Sequence, residues 1–117
     1  MAEINLLKNY PQSKRNVIER EEQKTEEVRR IACQFGKDYF DGERKYGYGG
    51  YSYDSRFWQP VIPDFQSRYQ LSAKSHVLDI GCAKGFMLYD FMQLIPGIKI
   101  TGIDISPYAI DHARGEV

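Results

Sequence analysis

The run His76–Asp104, HVLDIGCAKGFMLYDFMQLIPGIKITGID, limits what this chain can fold into more than any other feature. It sets a short apolar strand, a glycine-bearing turn, an apolar helix, a second apolar strand and a closing carboxylate in immediate succession. Val77, Leu78 and Ile80 form a near-continuous apolar run, the pattern of a parallel strand covered on both faces. After Gly85 come Phe86, Met87, Leu88, Phe91, Met92, Leu94 and Ile95. A helix that is apolar on more than one side is deeply packed, and Pro96-Gly97 ends it. Ile98 to Ile103 reads as the second strand. Ser106-Pro107 is a cap and first-turn pair for a further helix, YAIDHARGEV, expected to run to Val117. The fold class is therefore α/β, built on a β-α-β-α unit.

Between the first strand and its helix stands Asp79-Ile80-Gly81-Cys82-Ala83-Lys84-Gly85. Glycine or alanine suits such a turn when a ligand must lie against the main chain, where a larger substituent would collide. The nicotinamide fingerprint asks for glycine at the first, third and sixth positions. Here the third is Ala83, the sixth is Phe86, and Gly85 falls at the fifth. No Gly-Lys-Ser/Thr follows a spaced glycine, so the phosphate-cradling loop is missing as well.

The rest of the chain is less regular. Residues 1–15 are polar, contain Pro11 and read as an extended arm. From Asn16 to Phe35 the composition favours a helix. Val28, Ile31, Ala32 and Phe35 make one apolar stripe, and Gly36 is the stop signal. The glutamates Glu19, Glu21, Glu22, Glu26 and Glu27 interleave with basic residues as a solvated face, not a metal site. Residues 38–58 follow no clean period; Tyr46, Tyr48, Tyr51 and Tyr53 alternate with Gly47, Gly49 and Gly50. Such a stretch either packs on the sheet edge or closes over a site as a lid. A short helix then starts at Pro63 or Asp64, with Phe65 and either Tyr69 or Leu71 facing inward.

Lys plus Arg and Asp plus Glu are 16 each, so no basic footprint for nucleic acid or an anionic membrane is expected. No window is long and apolar enough for a membrane span, and the start lacks a signal-peptide pattern. Cys33 and Cys82 share no metal or redox spacing, which points to a reducing cytoplasm. Cys82 reads as a small buried filler of the turn rather than a nucleophile. His76 and His112 read as surface residues.

VLDIGCAKG, followed after one helix by GIDIS, resembles motif one and the post-strand acid of class I S-adenosylmethionine-dependent methyltransferases. The family pattern has glycine where this chain has Ala83, a mild departure. YFDGERKYGYGG through RFWQPVIPDF is similar to the region before motif one in a set of bacterial methyltransferases. The resemblance implies a Rossmann-like doubly wound sheet, represented by its first β-α-β-α part (72–117) after an N-terminal helical and Tyr/Gly-rich extension (1–71). It implies S-adenosyl-L-methionine as cofactor, held at Asp79, Gly81, Cys82, Ala83, Gly85, Asp104 and Ile105. In that scheme Asp79 serves the methionyl ammonium, Asp104 the ribose diol and Ile105 the adenine. The acceptor is expected to be a small molecule or carbohydrate. Tyr46, Tyr48 and Tyr51 are candidates to assist it, and no catalytic residue is assigned. The expected chain is the N-terminal portion of a longer enzyme. The other readings are a nicotinamide-dependent oxidoreductase or epimerase, and a non-catalytic fragment that associates with another chain to cover its sheet edges.

Overall fold

A computed structural model describes residues 3–12, 21–22 and 24–117. Helix α1, Glu26–Ala32, starts where Thr25 Oγ1 accepts from the Val28 amide. Glu26 and Glu27 lie in its first turn and Arg29 and Arg30 in its last, matching the helix dipole. Val28 is its buried residue. The helix expected from Asn16 falls partly on residues 13–20 and 23, outside the described residues. At its far end it stops short of the expected Phe35. That residue takes a left-handed φ of 48°, with its ring 5.0 Å from Tyr39 and its carbonyl accepting from Ser106 Oγ. Gly36 therefore caps the next helix, α2 (Lys37–Asp41), instead of ending the first.

The aperiodic stretch is more structured than its sequence suggests. It holds α2, a 3-10 turn at Arg44–Tyr46 and helix α3, Ser55–Trp58, capped by the Asp54 carboxylate on the Arg56 amide. Tyr48 N and Gly50 N donate to the carbonyls of Tyr39 and Phe40, so the glycine-tyrosine segment doubles back along α2. The N-terminal arm is irregular, and Tyr10 packs 4.9 Å from Trp58. Helix α4, Ile62–Tyr69, has Pro63 in its first turn and ends at Gln70 with φ 53°. Phe65 and Leu71 face the core, whereas Tyr69 is exposed.

Strands β1 (His76–Ile80) and β2 (Lys99–Ile103) pair in parallel, His76 opposite Lys99 through Ile80 opposite Ile103. Helix α5, Phe86–Leu94, connects them and lies on one face of the pair. Ile62, Phe91, Ile95 and Ile98 form the core there, with Phe65, Leu71, Val77, Met87 and Ile100 packed around it. The expectation that β1 is covered on both faces is corrected by its opposite side. Leu78 and Ile80 are 55% and 77% exposed and Ile103 52%, because no described helix packs there. Helix α6, Pro107–Asp111, is capped by Ser106 Oγ accepting from the Ala109 amide. It does not run on to Val117. Arg114 N instead donates to the Lys84 carbonyl, turning the chain back toward the glycine turn.

Candidate functional site

The glycine turn is built at the carboxyl ends of both strands. Gly81 and Cys82 amides both donate to the Ile103 carbonyl, at 2.7 and 3.0 Å. The turn then reverses through left-handed backbone at Gly81 (φ 84°), Ala83 (φ 51°) and Gly85 (φ 76°). Gly81 and Gly85 take such angles at no steric cost; Ala83 does not. Space above Gly81 is open, with no heavy atom within 4 Å of where a Cβ would stand. Asp104 locks this geometry from β2. One carboxylate oxygen accepts from Ala83 N and the other from Ser106 N, both at 2.8 Å.

Gly81, Ala83, Asp104 and Ile105 form one side of a cavity of about 210 Å3. Phe35, Tyr39, Phe40 and Tyr48, all from the N-terminal segment, form the other side. Sequence reasoning gathered the first group. Among the remaining expected residues, Asp79 precedes the turn on β1, half-buried. Cys82 faces away from the cavity: a Cβ on Gly102 would stand 2.7 Å from its Sγ, so it packs against β2. Gly85 faces Val117. The Tyr/Gly stretch does not lie on the sheet edge. It packs across α5 and α6 and at the same time walls the cavity: Phe40 contacts Tyr48, Tyr51 and Tyr108 at 5.6–6.2 Å, and Tyr51 stacks on Phe86 at 4.7 Å.

The electrostatics favour a cation. Burial, and then the charge of Asp104, push the Asp79 carboxyl up; Asp104 lines the cavity and Asp79 does not. Burial followed by the charges of Asp79 and Asp104 pushes the Cys82 thiol up as well, keeping it an inert thiol. Burial raises the phenols of Tyr48 and Tyr51, which stay neutral. Among the described residues no group of three or more His, Cys, Asp or Glu side chains is placed to hold a metal. No helix of the described residues is long and apolar enough to cross a membrane.

Two features escaped sequence reasoning. Lys84, within the turn, is 7% exposed, and its ammonium donates to both oxygens of Asp41 and to the Tyr51 carbonyl at 2.6–2.9 Å. Tyr108 OH and Tyr51 N donate to the same Asp41 carboxylate. This knot fastens the aromatic wall to the turn. Asp90, fully buried on α5, accepts from Tyr53 OH at 2.5 Å and from Gln59. A lone aspartate inside FMLYDFMQL was the available signal for that anchor. A lysine between turn residues carried no comparable one.

Residues 71–117 match a family model described as a methyltransferase domain, which bears out the resemblance to class I S-adenosylmethionine-dependent methyltransferases. The chain is also similar to the trans-aconitate 2-methyltransferase of Paracidovorax citrulli (strain AAC00-1), 42% identical over 48 residues. The aligned stretch is 41% of this chain and 18% of that relative. No solved structure matches the chain.

Proposed function

We propose that the turn, Asp104 and the aromatic wall form the S-adenosylmethionine half-site of a methyltransferase. The two-stranded unit is then the opening part of a Rossmann-like sheet. One observation carries this reading: the cavity at the carboxyl ends of β1 and β2 meets an open glycine backbone on one side and the Asp104 carboxylate beside it. Ligands of open α/β sheets bind at that end of the strands. The glycine spacing, with Ala83 at the third position and Phe86 at the sixth, weighs against the nicotinamide alternative. At about 210 Å3 the cavity is smaller than the roughly 300–1,000 Å3 of whole small-molecule pockets, the size of a half-site.

The residues present fit the cofactor. Asp79 would attract the ammonium, and Asp104 has lone pairs left for ribose hydroxyls beyond its two amide contacts. Ile105 and the rings of Tyr39 and Tyr48 would take an adenine face. When bound, the cofactor supplies an electrophilic methyl group. The chain orients it and keeps water from one side with Phe35 and Phe40.

Calorimetric titration with S-adenosylhomocysteine and with NAD tests the reading. The first is expected to bind and the second not. Asp104→Asn should weaken S-adenosylhomocysteine about tenfold or more, the scale of a lost charged hydrogen bond. Binding of NAD in its place, or an unchanged affinity in the variant, would overturn it.

A further inference from the structure

Segment 35–51 is held to the β-α-β-α unit at three points, and the rings that line the small cavity stand at or between them. At one end the Phe35 carbonyl accepts from Ser106 Oγ. Asp41, closing α2, accepts from Lys84 Nζ and from Tyr108 OH. At the other end Tyr51 donates its amide to Asp41 and takes Lys84 Nζ on its carbonyl at 2.6 Å. Phe35, Tyr39, Phe40 and Tyr48 make the wall. Lys84 therefore serves two of the three fastenings from inside the turn, between Ala83 and Gly85.

A lysine in a glycine turn has another use, the capture of a phosphate. Lys84 does not serve it: the residue is 7% exposed and stays out of the cavity lining. Its three donors go to the two Asp41 oxygens and the Tyr51 carbonyl. Nor is it needed to shape the turn, which Asp104 fixes at Ala83 N and the Ile103 carbonyl fixes at Gly81 N and Cys82 N. Lys84 can act on the cavity only through the groups it holds. Tyr51 passes that constraint on, with its ring 4.4 Å from Tyr48 and 4.7 Å from Phe86. The Tyr48 and Gly50 amides then bind the carbonyls of Tyr39 and Phe40, joining the two halves of the wall.

We propose that Lys84 and Asp41 are positioning residues of the donor half-site, coupling its occupancy to the order of the aromatic wall. The inference rests on the half-site reading above, and neither side chain touches the ligand. A ligand that packs on Tyr39 and Tyr48 binds best when those rings are already held. Binding in turn holds them, because coupling between two equilibria is reciprocal. Without the pair, Gly81, Ala83 and Asp104 keep their places, but the ligand has to order the wall itself. The expected weakening is about tenfold, inside the roughly 5–150-fold span of coupling between sites.

The experiment pairs calorimetric titration of the full chain by S-adenosylhomocysteine with hydrogen exchange at the Tyr48 and Gly50 amides. Those amides bind Tyr39 and Phe40 rather than the pair, so they report on the wall and not on the lost bonds. In the unaltered chain the ligand is expected to slow both about tenfold. Lys84→Met should bind about tenfold more weakly and exchange faster at both amides. Ile62→Val is the control: it lowers stability in a core cluster that contains no wall residue, so affinity should stay within about twofold. Asp41→Asn/Lys84→Met leaves no unpaired charge buried and should regain stability, yet its affinity should stay low. If Lys84→Met does not fold, this double variant carries the test. Affinity that recovers with stability in the double variant would overturn the pair as a positioning device. So would an equal loss in Ile62→Val, or wall amides unmoved by ligand binding. Binding without coupling leaves the donor reading standing and removes this inference. No binding by the unaltered chain removes the donor reading and the coupling with it, and exchange in Lys84→Met then decides whether the pair holds the wall.

Discussion

Replacing Lys84 by methionine tests whether one buried ammonium ties the aromatic wall to the glycine turn. Methionine keeps much of the stem and removes every donor. The ammonium lies 2.9 and 2.8 Å from the two Asp41 oxygens and 2.6 Å from the Tyr51 carbonyl. Removing one partner of a buried pair costs about 3–5 kcal/mol, because the other charge is left without compensation. Asp41 is not left wholly so: it keeps the Tyr108 hydroxyl and the Tyr51 amide, and 27% of its side chain meets water. The expected loss is therefore about 2–3 kcal/mol, measured by urea unfolding at an unchanged slope. Acid dependence gives a second, independent reading. Burial pushes the Asp41 carboxyl up, but hydrogen bonds from Lys84, Tyr108 and Tyr51 outweigh it and hold it at about 2, below its ordinary 3.8. A depressed carboxyl stabilises the fold above the ordinary value, and that contribution is lost as pH falls from about 4 through about 2. Discounted for solvent screening, it amounts to roughly 1 kcal/mol. Lys84→Met should flatten that part of the stability–pH curve. A loss below about 0.5 kcal/mol, or an unaltered acid limb, refutes the knot as a fastening device.

Ala83→Gly should stabilise the protein. Left-handed backbone costs an L-residue about 1–2 kcal/mol, while glycine's extra freedom in the unfolded chain takes back about 0.4–1 kcal/mol. At φ 51° the net gain is expected near 0.5–1 kcal/mol, seen as a melting midpoint raised by a few degrees; a lowered midpoint contradicts it. Gly102→Ala should do the opposite, since its Cβ would lie 2.7 Å from Cys82 Sγ and 2.8 Å from Leu88 Cδ1. Overpacking of this kind costs about 1–3 kcal/mol, and Cys82→Ala in the same chain should recover part of it. Two additive losses in the double variant would show that the steric contact is not the cause.

How far the sequence could be read depended on how far apart the interacting residues lie. The strands, α5, the Ser106 cap and the placement of Gly81, Ala83 and Asp104 all follow from patterns within a few residues. Two strand boundaries, His76 and Ile103, were legible because an apolar run borders polar or turn residues there. The extent of α6 was not: nothing local in YAIDHARGEV announces that Arg114 N will bind the Lys84 carbonyl. The end of α1 was misjudged for the same reason. Phe35 leaves the helix to meet Tyr39 and the Ser106 hydroxyl, a partner 71 positions away. The expected covering of β1 failed because an apolar run records what a strand can bury, not whether a neighbour is there to bury it.

The aromatic wall shows why its role could not be decided from its own residues. Glycine and tyrosine permit packing and closure alike, and the choice between them rests on charges elsewhere. Asp41 reaches Lys84 across 43 positions and Tyr108 across 67, and those two residues stand at opposite ends of the β-α-β-α unit. One carboxylate thus holds the N-terminal segment against both the first turn and the last helix. Asp104 ties the same two places through Ala83 N and Ser106 N. Asp104 lines the small cavity, whereas Asp41 fastens its aromatic wall from outside the lining. Of the four rings that line the cavity, Phe40 is buried, Phe35 and Tyr39 are partly buried and Tyr48 is exposed. Tyr48 is the exposed ring of the wall, and it is held by packing on Tyr39, Phe40 and Tyr51 at 4.4–5.8 Å.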